Sequence, residues 1–160
     1  MLFKCIGGGL LLVSALVDCC GFERRTAHTK RIIQAWVALL TYIRTHIACF
    51  GTPLSDILLH ADATVVACLT TGEEPLTAAT LPACCRAHAA ALPKECGELL
   101  FHLSEELGTV WRQEQIERLD YYIAALSEAG EAFFVSAGGA VRMRRTLTLC
   151  GAMGAILLVW

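Results

Sequence analysis

From Arg31 onward, apolar residues return at three- and four-residue steps, through Ile32, Trp36, Leu39 or Leu40, Ile43, Ile47 and Phe50. This spacing keeps one face of a helix apolar, which predicts an amphipathic helix that continues from the apolar block before it. Gly51 ends the stripe. Thr52-Pro53 starts the next helix, with Thr52 as N-cap, Pro53 at the first helical position and Asp56 near the positive end of the helix dipole. Leu54, Ile57, Leu58, Ala61, Val65 and Leu69 carry it to a stop at Gly72. Glu73-Glu74-Pro75 reads as a linker, followed by an alanine-rich helix over 77–92 that bends or restarts at Pro82. Pro93 opens another helix, buried along Leu99, Leu100, Leu103 and Leu107 and stopped by Gly108.

The strongest periodicity comes last: Ile116, Leu119, Ile123, Leu126, Gly130, Phe133, Ala137 and Ala140. It predicts a long helix running on into the C-terminal tail. Gly130 and Gly138-Gly139 are its weak points, each costing about 1 kcal/mol relative to alanine, and they favour a kink. No segment alternates with the period of two that a half-buried strand needs. The expected fold class is therefore all-α.

Both ends are apolar. Leu2–Val17 is interrupted only by Lys4, with an unbroken run of about 13 residues, short of the roughly 20 that a spanning helix needs. Snorkelling of Lys4 and extension through Cys19–Phe22 make up the difference. Arg24, Arg25, Lys30 and Arg31 follow this block, while Arg142, Arg144 and Arg145 precede the apolar tail from Thr146 to Trp160. Both blocks thus carry their basic flank toward the middle, which by the positive-inside tendency puts the middle in the cytoplasm. The division expected is an N-terminal membrane helix over 1–22, a cytoplasmic helical bundle over 23–145 and a C-terminal membrane helix over 146–160, with membrane lipid as a partner. Gly151, Gly154 and Ala155 offer a face for close helix contact, or only the composition common in membrane helices. A rival reading is a secreted helical protein cleaved near Val13-Ser14-Ala15, but the positive charge follows the apolar run instead of preceding it.

Composition supports placing apolar surface in lipid, since 56% of the 160 residues are hydrophobic and 18% are charged. The net charge of −2 supplies no field for nucleic acid, and none is expected as a partner. Nine cysteines, an odd number, include the adjacent pairs Cys19-Cys20 and Cys84-Cys85 and no CxxC, so they read mostly as small buried apolar residues. A thiol- or metal-responsive membrane regulator is the alternative they leave open.

Chemical motifs are sparse. Cys84, Cys85 and His88 share one helical turn, with Cys96 and His102 nearby, but adjacent cysteines on a helix diverge by about 100° and zinc needs converging ligands. No metal site or cofactor is expected. Glu98 with His102, and Asp56 with His60, stand at the spacing of acid-base pairs, though such pairs are ordinarily solvated surface charges. There is no phosphate-binding glycine loop and no nucleophile elbow, so no enzyme is expected. Glu105, Glu106, Glu114, Glu117, Asp120, Glu128 and Glu131, with Arg112 and Arg118, coat the last two helices as a solvated face or a dock for a basic partner.

The order of these features resembles the stage III sporulation protein AB family across essentially the whole chain. The most specific residues are Gly51-Thr52-Pro53-Leu54-Ser55-Asp56-Ile57-Leu58, then Leu107-Gly108 before Gln113 and Gln115, and last Cys150-Gly151-Ala152-Met153-Gly154-Ala155-Ile156-Leu157-Leu158-Val159. That family is similar in fold to the cytoplasmic helical domain of the type II secretion platform protein. The resemblance implies a non-enzymatic platform in the mother-cell membrane facing the forespore. It further implies a secretion-like channel whose other subunits are partners, and a cytoplasmic secretion-type ATPase that the platform couples to them. Homo-oligomerisation stays open. Two departures stand out: Tyr42-Ile43-Arg44-Thr45-His46-Ile47 is basic or neutral where the family often carries acids, and Gly138-Gly139-Ala140 replaces a charged run.

Overall fold

The structure, a computed structural model, describes the backbone of residues 2–70, 75–107 and 112–159 and the side chains of 21–70, 75–107, 112–143, 146–148 and 150–151. Among the described residues the chain is helical with no strand, an all-α fold. In order the helices are α1 (Leu2–Phe50), α2 (Leu54–Leu59), α3 (Ala63–Leu69), α4 (Leu81–Ala91), α5 (Lys94–Glu106) and α6 (Arg112–Val159). The chain divides into two compact units, one of Thr29–Phe133 and one of Met1–His28 with Phe134–Trp160.

The Thr29–Phe133 unit is built on the stripe that the spacing predicts. Trp36, Leu39, Leu40 and Ile43 of α1 are fully buried together with Ile57, Leu69, Leu81, Cys85, Cys96, Leu100, Leu119 and Leu126, so every helix contributes to one core. Removing this apolar surface from water is the main force holding the unit together. Between α4 and α5 the approach is close enough that Gly97 lies on the backbone of Ala89, where a Cβ would collide with the Ala89 carbonyl oxygen.

Several boundaries differ from the sequence expectation. The N-cap after Gly51 is Pro53, extended at φ −63° and ψ 148°, and the helix begins at Leu54. Pro53 fits there because it needs no amide donor and its ring already fixes φ. The single helix expected from 54 toward Gly72 is two, because Asp62 starts a fresh cap: its Oδ1 accepts from the Thr64 amide and hydroxyl, both at 2.8 Å. α3 then stops at Leu69, and Gly72 lies outside the described residues. The alanine-rich helix begins at Leu81, with Pro82 in its first turn, after a turn in which the Thr77 and Thr80 amides each donate to the other's hydroxyl. α5 opens after Pro93 as expected, but Leu99 and Leu107 are only half-buried, and Cys96, Gly97 and Ser104 share the buried face with Leu100 and Leu103. α6 stays helical through Gly130 and Gly138-Gly139.

In the other unit the backbone is helical over 2–28 and 134–159. Val135, Met143 and Leu147 are exposed at steps that are multiples of four, an apolar stripe along α6 facing outward. The stretch Gly21–Phe50 is long and apolar enough to cross a membrane, with a mean hydropathy of 1.3 over its best window. Much of that hydropathy belongs to the core stripe from Ile32 to Ile47, which is already buried by protein. The expected N-terminal span over 1–22 falls mainly on side chains outside the described residues.

Candidate interaction surfaces

The turn that closes α1 holds the one positive φ among the described residues. Gly51 takes φ +63°, the left-handed conformation that glycine adopts without cost, and its amide donates to the Ile47 carbonyl at 3.2 Å. Arg112, the first residue of α6, completes the cap: Nε donates to Ile47 O at 2.9 Å and Nη2 to Ala48 O at 2.7 Å. A cation at the negative end of a long helix complements its dipole, and here it gives the Ile47 carbonyl a second donor and reaches the Ala48 carbonyl as well. Thr52 and Leu54 are half-buried and Pro53 is exposed, so the turn presents its proline outward. Leu107 ends α5 in extended conformation, and Gly108 lies outside the described residues.

A second tie joins α1 to α6. Arg44 binds Asp120 bidentately, Nε to Oδ1 at 2.9 Å and Nη2 to Oδ2 at 3.0 Å, so this basic position of α1 is engaged in an internal pair. Further along, Arg118 bridges Glu106 at 2.8 Å and Glu114 at 2.7 Å, and Tyr122 donates to Glu106 at 3.0 Å. Desolvation works to raise the Glu106 carboxyl, but the Tyr122 hydroxyl and the Arg118 guanidinium together outweigh it and hold the group below its ordinary value. Burial, with Glu106 beside it, pushes the Tyr122 phenol up to about 12.

The cysteine and histidine cluster is engaged with the backbone. His88 Nε2 lies 2.8 Å from the Leu69 carbonyl, and Cys84 Sγ donates to the same oxygen at 3.3 Å, so the two cap the end of α3. His88 also meets the edge of Trp36, centroids 5.8 Å apart. Cys85 is fully buried, and its thiol is pushed up to about 12, mainly by burial. Neither proposed acid-base pair is joined through its carboxylate: His60 Nδ1 meets the Asp56 carbonyl oxygen at 2.9 Å, and His102 lies 3.9 Å from Glu105.

An open groove of about 450 Å³ lies between α5 and α6. Leu99, Ala125, Ala129 and Ala132 line its apolar part, and Glu95, Glu98, His102 and Glu128 its polar part. Of these residues the sequence places Glu128 in the acidic coat and sets Glu98 beside His102, while Glu95 carries no signal of its own. That the α6 alanines leave a trough beside α5 follows from how the helices cross, which spacing alone does not give.

Of the basic flanks, Arg24, Arg25, Lys30, Arg31 and Arg142 are exposed, while the side chains of Arg144 and Arg145 lie outside the described residues. Comparison with curated proteins and with solved structures returns no match. The family model described as stage III sporulation protein AB matches residues 4–159, from the first apolar block to the last. The chain belongs to the stage III sporulation protein AB family.

Proposed function

We propose that this chain is a non-enzymatic membrane platform subunit of a secretion-like channel in endospore formation, coupling a cytoplasmic secretion-type ATPase to the membrane complex. The observation that carries this reading is the family match over residues 4–159. Other features agree with it. The Thr29–Phe133 unit is a helical bundle with its polar surface outward, suited to holding partners. The exposed stripe of Val135, Met143 and Leu147 and the basic residues Arg24, Arg25, Lys30 and Arg31 suit a helix end that meets lipid. The unit itself then lies in the cytoplasm of the mother cell, and the nucleotide chemistry belongs to the ATPase.

The test is co-purification. The full chain, tagged and extracted in mild detergent from sporulating cells, is expected to bring down a secretion-type ATPase together with other membrane subunits. Recovery of the chain without them, under conditions that keep the membrane complex intact, contradicts the proposal.

A further inference from the structure

Within the Thr29–Phe133 unit, the groove between α5 and α6 combines a shape and a charge that together specify an occupant. Its floor is Leu99, Ala125 and Ala129, each half-buried, so neighbouring side chains do not fill the trough. Alanines at this spacing leave room for another helix to approach closely, and packed helices lie about 8–10 Å apart. The rim carries three exposed carboxylates, Glu95, Glu98 and Glu128. One lysine, Lys94, reaches Glu98 at 3.9 Å, and both side chains are mostly in solvent, so the pair leaves the rim acidic.

We infer that this groove is the docking site for a basic amphipathic helix of another protein chain, its apolar stripe on the Leu99–Ala125–Ala129 floor and its lysines or arginines against the three glutamates. Helix-in-groove recognition uses apolar anchors at helical spacing for affinity, while charge complementarity sets orientation and partner choice. The inference rests on the platform reading only in supposing that the unit serves partners; the groove's preference for a basic helix comes from its own residues.

The probe is a synthetic helical peptide of leucine, alanine and lysine, labelled with a fluorophore and titrated against the full chain in detergent by anisotropy. Binding is expected to weaken as salt rises. The variant Glu95→Gln/Glu98→Gln/Glu128→Gln is expected to lose roughly tenfold in affinity. Asp56→Asn/Glu117→Gln, which changes charge away from the groove, is expected to bind as the parent does. Ala129→Trp, which fills the trough and leaves the charge alone, is expected to lose binding as well; if it fails to fold, the glutamine variant still decides.

Equal binding by the glutamine variant and the parent overturns the proposal, as does an equal loss in the Asp56/Glu117 control, which would mark a diffuse field. A parent that self-associates through the groove, with Ala129→Trp dissociating it and no peptide bound, makes the occupant a second copy and overturns it too. Peptide binding that requires the groove in a chain that recovers no membrane partners supports this inference while removing the platform reading. Partners retained by a parent whose peptide binding ignores the groove do the reverse.

Discussion

Trp36 shows how much of the fold hangs on single side chains. It is fully buried, its ring meets His88 edge-on, and its indole N–H finds no acceptor among the described residues, so its contribution is packing. Trp36→Ala is expected to cost about 3–5 kcal/mol in denaturant unfolding of the full chain followed by helical circular dichroism. Gly97 is the opposite case, needed for what it lacks. With Ala89 backbone against it, Gly97→Ala is expected to destabilise by about 1–3 kcal/mol although alanine is the better helix former. The Glu106–Tyr122 pair gives a pH signature. Glu106, held low, contributes stability that is present above the ordinary carboxylate range and lost as pH falls through its folded value. Tyr122, held high, contributes stability present below about 10 and lost as pH rises toward 12. Tyr122 is expected to ionise only as pH approaches about 12 by ultraviolet phenolate absorbance, and Glu106→Gln to bring its titration down.

Among the elements, the α1 terminus and the start of α6 depend on one arginine. Arg112 meets two carbonyls through different nitrogens, a fork that lysine cannot reproduce. Arg112→Lys is expected to lose about 1 kcal/mol by thermal or denaturant unfolding, with Arg112→Ala losing at least as much. Equal stability of both variants and the parent would show the cap to be dispensable. Arg112 also marks where sequence reading stops. The stripe from Ile32 to Phe50 and the break at Gly51 are local patterns, set by helix geometry and by glycine's freedom at positive φ; both are present, except that Phe50, the last member of the stripe, is exposed instead of buried. The split at His60–Asp62 is local too, but the apolar spacing from Leu54 to Leu69 continues across it and masks it, while Asp62 and Thr64 prefer to cap. The partners of Arg112, Arg44 and Arg118, and the groove, require helices far apart in sequence to meet, and no spacing along one helix encodes that.

Taken whole, the molecule is an all-α chain that matches the stage III sporulation protein AB family over residues 4–159; Cys84 and His88 are occupied with the Leu69 carbonyl, and the exposed features among the described residues include an acidic trough, an outward proline turn and an apolar stripe. The proposed function requires the Thr29–Phe133 unit to lie in the cytoplasm, where an ATPase can reach it. Cys68 is an exposed thiol of this unit, which makes it a native reporter of its side of the membrane. A variant keeping Cys68 as its one cysteine, treated with a membrane-impermeant thiol reagent, is expected to stay unlabelled in intact cells and to label in inverted vesicles. Labelling in intact cells and protection in inverted vesicles would contradict the account.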